Sequence, residues 1–230
     1  MKTSIFLYCF ILVALTTFTC GETNKNEKKK DDTEIKKIEP KRKIPTIEQL
    51  YKENPYNYDT ILKNGYNLHF EYFIEKGKEY PEMILTLNYK SKIIDTLNTL
   101  NYGLPQKSLG YIGADFNDYF AFVQSYGSGN PHEMQLLRKK DAKKIVSGFI
   151  VDADEKNGIL LYNINGDSLM FYDINHKKDN LIVNLNNSNL IDCLISEYCN
   201  NLKIKKVTKT QVFVEITKNS GKKILKKYYR

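Results

Sequence analysis

Short runs of apolar residues, many of them alternating with polar ones, cover most of the chain after residue 65. The run Tyr119–Ser125 is rich in aromatic and other strand-favouring residues, and Ile159–Ile164 and Ser168–Asp173 have the same character. Such residues favour extended strands, and the Gly, Asn, Asp and Lys residues between the runs favour tight turns. Asn165 and Gly166 tolerate the positive φ that a two-residue hairpin turn needs. The pattern predicts an antiparallel meander.

The predicted strands recur in about four similar hairpin units. Each unit has one leading apolar strand, followed by a hairpin with a polar, lysine-rich tip. The leading strands are Leu68–Phe73, Tyr119–Ser125, Ile159–Ile164 and Leu202–Val207, and the hairpins are Met83–Asp95, Met134–Val146, Leu169–Val183 and Val212–Leu225. Units of three or four strands with this kind of spacing are similar to the blades of β-propellers. We therefore predict a mainly β, propeller-like domain, with an antiparallel β-sandwich of the same strands as the alternative.

Two short helices are predicted beside the strands. Thr46 and Gln49 have the spacing of a capping box, which predicts helix near 46–63. Apolar residues at helical spacing predict a second helix near 189–199. The apolar spacing of residues 93–100 suits either a helix or a strand. We favour a strand there because a hairpin-like polar tip precedes it.

The N-terminal residues have the composition of an export signal. A single basic residue, Lys2, precedes an apolar run of about a dozen residues, whereas a membrane-spanning helix needs about 20. We interpret residues 1–19 as a signal peptide. Residues 20–45 are mostly charged and polar, which predicts a disordered tether. The remaining residues, 46–230, are expected to form a single all-β domain.

The stretch Thr17-Phe18-Thr19-Cys20-Gly21 resembles the cleavage site of bacterial lipoproteins. In that family the cysteine becomes the lipidated first residue of the mature protein. The resemblance covers only this N-terminal stretch. It implies an exported protein of the bacterial cell envelope that is anchored to the membrane by a lipid on Cys20. A soluble periplasmic or secreted protein is the alternative if Cys20 is not acylated.

The cysteine count bears on the same expectation. Cys9 leaves with the signal peptide, so the exported chain keeps Cys20, Cys193 and Cys199, an odd number in an oxidising compartment. Lipidation of Cys20 leaves an even pair. On one continuous helix, Cys193 and Cys199 would lie roughly 240° apart around the axis, so a disulfide requires the helix to end between them. Two buried free thiols are the alternative, and we expect no metal site and no cofactor.

A glycine-rich loop between predicted strands is a candidate ligand loop. Its two glycines permit close backbone approach to a ligand. The nucleophile-elbow pattern is missing because no glycine stands two residues before Ser128. We expect a plain connecting loop, with ligand contact as the alternative. The candidate ligand-contacting residues are Gly127, Ser128, Gly129, Asn130 and His132.

Charge is distributed unevenly along the chain. Residues 46–200 contain 15 Lys and Arg against 20 Asp and Glu, whereas residues 201–230 contain 10 against 1. Strand alternation places part of these lysines on one face. The candidate anion-binding residues are Lys203, Lys205, Lys223 and Lys227. The alternative is that these lysines neutralise acidic neighbours and protect an exposed edge strand.

Together these features predict a non-catalytic exported lipoprotein that binds a protein or an envelope ligand. Export argues against nucleic acid as the partner. An exported hydrolase is the alternative, with a site that would gather Asp115, Asp118, Ser128 and His132. A further alternative is an inhibitor or immunity protein of the envelope.

Overall fold

The computed structural model describes residues 43–53, 59–125, 132–164, 168–184, 202–217 and 220–230. Within these residues the chain forms one α-helix, two short 3-10 turns (Lys63–Gly65 and Gln106–Leu109) and fourteen strands. The helix, α1, spans Ile47–Glu53. The strands are β1 (Thr60–Ile61), β2 (Tyr66–Phe73), β3 (Glu82–Tyr89), β4 (Lys92–Asn101), β5 (Tyr111–Asp115), β6 (Tyr119–Gln124), β7 (Glu133–Arg138), β8 (Lys144–Asp154), β9 (Ile159–Ile164), β10 (Ser168–Asp173), β11 (Lys178–Asn184), β12 (Leu202–Val207), β13 (Gln211–Thr217) and β14 (Lys223–Tyr229).

The strands form three antiparallel sheets in chain order, which confirms the mainly β meander. The sheets are β1-β2-β3-β4, β5 through β11 in sequence, and β12-β13-β14. The four predicted hairpin units correspond to β2–β4, β6–β8, β9–β11 and β12–β14. The two middle units share one sheet because β8 pairs with β9, with Ile150 opposite Tyr162. The first and last units form separate sheets.

The four-stranded sheet packs on one end of the central sheet. Alternation places Phe120 and Phe122 on one face of β6, and both are buried against the four-stranded sheet. The apolar residues that the four-stranded sheet contributes to this layer are Leu68, Phe70, Tyr72, Met83, Leu85 and Leu87. Burial of this many apolar side chains between two sheets is the main force holding the layers together.

The three-stranded sheet packs on the other end of the central sheet. Leu161 and Phe171, on β9 and β10, are fully buried. They belong to the same apolar cluster as Val212 and Val214 of β13. The chain therefore folds as a sandwich-like arrangement, in which a central seven-stranded sheet carries a smaller sheet at each end.

The central sheet is strongly curled. A Cβ added at Gly113 in β5 would lie 2.6 Å from Cδ1 of Ile150 in β8. These strands are three positions apart, which would separate them by about 14 Å in a flat sheet. The curl also brings together turns that would lie at opposite ends of the strands in a flat meander. Residues 116–118, between β5 and β6, meet residues 155–158, between β8 and β9, as the contacts below show.

The helix begins as its capping box predicts. The backbone N–H of Thr46 donates to Oε1 of Gln49 at 2.9 Å, and the N–H of Gln49 donates to Oγ1 of Thr46 at 3.2 Å. The prediction of helix as far as residue 63 is wrong for residues 59–62, which include β1, whereas Lys63 begins a 3-10 turn. After them, Asn64 and Gly65 adopt positive φ of 63° and 76°, which an α-helix does not accommodate.

Among the remaining predictions, the strand over residues 93–100 is confirmed, because it lies within β4. Strand β5 was not predicted. The Asn165–Gly166 turn, the helix near 189–199, the signal peptide and nearly all of the tether lie outside the described residues.

Candidate anion-binding cleft and cationic face

Lys139 is a buried charged residue that contacts the turn at Lys63 and the turn after β5. It directly follows β7, and its side chain is 1% exposed. Its Nζ lies 2.7 Å from Oδ1 of Asp115, and it donates hydrogen bonds to the backbone oxygens of Phe116 at 2.7 Å and Lys63 at 3.0 Å. Burial lowers the pKa of Lys139, and the bond to Asp115 opposes that shift. One ammonium group therefore joins three separate segments.

Asp115 and Glu155 extend this polar cluster. The backbone N–H of Lys63 donates to Oδ2 of Asp115 at 2.8 Å, and its Nζ donates to Oε2 of Glu155 at 2.6 Å. The N–H of Asp115 donates to Oε1 of Glu155 at 2.9 Å. Burial raises the pKa of Glu155, but these bonds outweigh it and hold that pKa below its usual range. The turns at 63–65, 115–118 and 155–158 are thus fastened to one another.

A cleft of about 280 Å³ lies beside this cluster. Its lining carries four cationic side chains, one carboxylate and two phenols. These residues are Tyr66, Asp118, Tyr119, Arg138, Lys139, Lys140 and Lys177. Positive charge dominates the lining, so the cleft favours an anionic ligand over a neutral or cationic one.

The cations of the cleft differ in how far they are already paired. Arg138 makes a two-pronged contact with Asp141 in the turn between β7 and β8, with Nε at 2.8 Å from Oδ1. The hydrogen bonds from Arg138 lower the pKa of Asp141 to about 2. Lys140 and Lys177 are exposed, and neither makes an ion pair or a side-chain hydrogen bond with the described residues. These two lysines are the unpaired cations of the cleft.

A second cleft of about 260 Å³ shares three lining residues with the first, namely Asp118, Tyr119 and Lys177. Its other polar lining comes from the turns after β5, β8 and β10, and includes Asn117, Glu155, Lys156 and Asn175. The first cleft is cationic, whereas the second mixes two carboxylates and two amides with two lysines. Asp118 and Lys177 stand where the two clefts meet.

Tyr66 forms an aromatic wall of the first cleft. Its ring centroid lies 4.7 Å from that of Tyr89, and Nζ of Lys139 lies 5.9 Å from its ring centroid. Burial, followed by nearby Tyr89 and Asp118, raises the pKa of Tyr66. Its phenol therefore stays protonated at neutral pH and can donate a hydrogen bond to a ligand.

The outer face of β12–β14 is also cationic, and here we call it the cationic face. Lys203 lies opposite Glu215, and Lys206 and Lys227 lie opposite Phe213. Glu215 also accepts ion pairs from Lys205 at 3.3 Å and Lys223 at 3.2 Å. The four lysines nominated from the sequence, Lys203, Lys205, Lys223 and Lys227, are all exposed. The face therefore carries five lysines, counting Lys206, around a single carboxylate.

Exposed apolar residues lie on the same face as these lysines. Leu225 pairs with Glu215 and is 59% exposed, and Tyr229 is 69% exposed. Nζ of Lys227 lies 5.9 Å from the ring centroid of Tyr229. A mixture of lysines with exposed aromatic and aliphatic side chains suits contact with an anionic surface that also offers some apolar area.

The described residues do not assemble the hydrolase constellation. His132 is exposed, and its Nδ1 lies 2.6 Å from the phenol oxygen of Tyr111 at the start of β5. Asp115 ends the same strand, which puts it about 13 Å along β5 from Tyr111. Of the candidate ligand loop, only His132 is described. Gly127, Ser128, Gly129 and Asn130 lie outside the described residues, as do Cys20, Cys193 and Cys199.

Each of the three histidines is hydrogen-bonded to a carboxylate or a phenol, and none of them contacts a serine or cysteine side chain among the described residues. His69 and His176 place Nδ1 2.8 Å from carboxylate oxygens of Asp59 and Asp173, and His132 contacts a phenol. In the described part of the chain, no group of three or more His, Cys, Asp or Glu residues is placed to hold a metal ion. The same part contains no helix of the length and apolarity that a membrane crossing needs.

The sequence nominated Asp118, for the hydrolase alternative, but none of the four cations that line the cleft. Lys139 and Lys140 belong to a lysine-rich hairpin tip, which predicts solvated side chains, and Lys177 belongs to another. The available signal was weak: Lys139 stands two residues after buried Leu137, so alternation continues the apolar face of β7 onto it. Nothing in the pattern shows that the two tips meet.

Comparisons with known proteins give little further information. No family model matches this sequence, and no curated protein matches it. One solved structure that the chain is similar to is described as the crystal structure of the computationally designed Ika4 protein. It shares 10% sequence identity over 75% of this chain and 91% of that chain, with a TM-score of 0.34.

Proposed function

We propose that this chain is a non-catalytic, exported binding protein of the bacterial cell envelope, anchored by a lipid on Cys20. Its partner is an anionic protein or envelope ligand that contacts the cationic face. The observation that carries this proposal is the placement of five exposed lysines around one carboxylate on the outer face of β12–β14. Attraction between this face and an anionic surface supplies about 1 kcal/mol per lysine near the surface.

The anchor is supported by the resemblance around Cys20 to lipoprotein cleavage sites and by the even cysteine pair that acylation leaves. Mass spectrometry of the mature protein should show a diacyl- or triacylglyceryl group on Cys20 as the first residue. A Cys20→Ser variant should be released from the membrane fraction. An unmodified N-terminus downstream of Cys20 would remove the anchor from the proposal but leave the cationic face to be tested.

Vesicle binding tests the cationic face directly. With Cys20→Ser in every protein compared, so that no acyl chain inserts into the bilayer, the chain with all its lysines should be retained on vesicles that contain anionic lipid and should pass neutral vesicles. Retention should fall as salt rises, because a surface charge is screened within about 8 Å at physiological ionic strength. A variant with Gln at Lys203, Lys205, Lys223 and Lys227 should bind anionic vesicles at least about tenfold more weakly.

A matched control keeps the same net charge as that variant. It carries Gln at four exposed lysines outside the cationic face: Lys52, Lys76, Lys92 and Lys107. The chain with all its lysines, the variant and the control share the same N-terminal lysines, so a difference between variant and control reports the face alone. Equal retention of all three proteins on anionic vesicles would refute a role for the cationic face and leave its lysines as edge protection.

A further inference from the structure

We propose that the cleft lined by Lys140 and Lys177 is a second binding site, for a small phosphorylated sugar or polyol. The phosphate would contact Lys140, Lys177 and the phenol of Tyr66. The hydroxyl groups would reach Asp118, where the cationic cleft joins the second one. This site lies on the turns of the central sheet, so it is separate from the cationic face and does not depend on the proposed function.

Free cations at the cleft favour a phosphate group. Lys139 is fully engaged with Asp115 and two backbone oxygens, and Arg138 is held by Asp141. Lys140 and Lys177 have no such partner in the described part of the chain, so a ligand need not break an existing ion pair to bind them. A phosphate dianion has three terminal oxygens and can accept bonds from both ammonium groups and a phenol at once.

The base of the site is built before any ligand binds. Lys140 directly follows Lys139, whose three contacts fix the start of that turn. Lys177 lies in the turn after β10, where the N–H groups of Asn175 and His176 donate to Oδ1 of Asp173 at 3.0 and 3.2 Å. Because both turns are held by buried charged groups, binding orders little besides the two lysine side chains.

The carboxylate at the junction distinguishes a phosphorylated polyol from a bare phosphate. Asp118 lines both clefts, and Asn117, Glu155 and Asn175 line the second. Carboxylate and amide oxygens accept hydrogen bonds from hydroxyl groups, and the negative carboxylates also repel phosphate. The volume of about 280 Å³ in the first cleft, extended by about 260 Å³ in the second, fits a molecule of monosaccharide phosphate size.

Three probes separate these contributions in calorimetric titrations of the full chain at constant ionic strength. Glucose 6-phosphate carries both groups, inorganic phosphate carries only the anion, and glucose carries only hydroxyls. We expect glucose 6-phosphate to bind most tightly, inorganic phosphate more weakly, and glucose not measurably. Replacing both cleft lysines, in Lys140→Ala/Lys177→Ala, should weaken glucose 6-phosphate at least about tenfold, because each charge-assisted bond contributes substantially.

Two further variants test the assignment of roles. Asp118→Asn should bind inorganic phosphate as tightly as wild type or more tightly, because a negative charge is removed, and should lose part of the preference for glucose 6-phosphate. Lys76→Ala/Lys107→Ala removes two exposed lysines at the other end of the four-stranded sheet from Tyr66 and should bind as wild type does.

The outcomes are decisive in both directions. No binding of glucose 6-phosphate or inorganic phosphate to wild type would refute the site. Equal weakening by the cleft pair and the control pair would also refute it, because it would show attraction to overall charge only. Failure of vesicle binding with intact glucose 6-phosphate binding would remove the function proposed above and leave this site standing.

Discussion

Replacing Lys139 by Met should remove much of the stability of the domain. The Met side chain keeps the apolar stem of the lysine, so the change mainly deletes the ammonium group. That group contacts Asp115 at 2.7 Å and the carbonyl oxygens of Phe116 and Lys63 at 2.7 and 3.0 Å. The two carbonyls lose a buried donor, and among the described residues the carboxylate of Asp115 keeps only the backbone donor of Lys63.

The size of the effect follows from these contacts. Removing one partner of a buried ion pair typically costs 3–5 kcal/mol, so we expect a loss of about 4 kcal/mol in the free energy of unfolding. Some of the loss at Asp115 is recovered by water, because its side chain is 17% exposed. Ordinary domains have a free energy of unfolding of about 5–15 kcal/mol, so at the low end of that range the variant would be partly unfolded at room temperature.

Urea unfolding monitored by circular dichroism measures this loss. At a slope of about 2 kcal/mol per molar, the midpoint should fall by roughly 2 M. Lys140→Met changes the neighbouring exposed lysine and should stay within about 0.5 kcal/mol of wild type. The reasoning is refuted if Lys139→Met loses less than about 1 kcal/mol, since the buried ammonium would then not be holding the three turns together.

Three further variants are expected to behave as follows. Arg230→Lys should lose about 2 kcal/mol or more in urea unfolding, because a lysine cannot reproduce the two-pronged contact with Asp173 at 2.6 and 2.9 Å. Burial raises the pKa of Asp173, but bonds from Arg230 and His176 outweigh it, so its pKa lies below the usual 3.8. That stabilisation is present above pH 3.8 and is lost as pH falls through the folded-state value, so Asp173→Asn should show a flatter loss of stability between about pH 5 and 2 than wild type. Gly148→Ala should cost about 1–3 kcal/mol in the same urea assay, because the added Cβ would lie 2.3 Å from the backbone oxygen of Asn163.

Features that depend on local alternation were predictable from the sequence. A period of two places Val212, Val214 and Ile216 on one face of β13, and the structure buries all three. The same period places Lys203 on the opposite face of the sheet, where it lies across from Glu215. Four of the five lysines of the cationic face were therefore visible in the residue order. Lys206 reaches the face through the register shift between Ile204 and Lys206, which alternation does not predict.

Features that depend on the curl of the central sheet were not predictable. Strand β5 contains Gly113 and ends at Asp115, so its apolar pattern is too short and too interrupted to indicate a strand. In a flat meander, the turn after β5 and the turn after β8 would lie at opposite ends of the strands. The structure joins them through Glu155, whose carboxylate accepts from the N–H of Asp115. The period of apolar residues indicates which face of a strand is buried, but it does not indicate how strongly the sheet curls.

Two buried ion pairs lie where apolar packing alone would not fix the relative position of two sheets. Hydrophobic burial between sheets is non-directional, whereas a charged group with three or more bonds is satisfied in one arrangement only. Lys139 supplies such a group where the four-stranded sheet meets the central sheet. Arg230 supplies another where the three-stranded sheet does, with its guanidinium on Asp173 and the oxygens of Asn157 and Thr208.

Each of these ion pairs has a member within four residues of one unpaired cation of the cleft. Lys140 follows Lys139, and Lys177 lies four residues after Asp173 in the turn that this carboxylate organises. The distance between the two free lysines is therefore set by the pairs that fix the sheets. We infer that the same contacts position the cleft and hold the layers, so a variant that loosens either pair should weaken ligand binding before the domain unfolds.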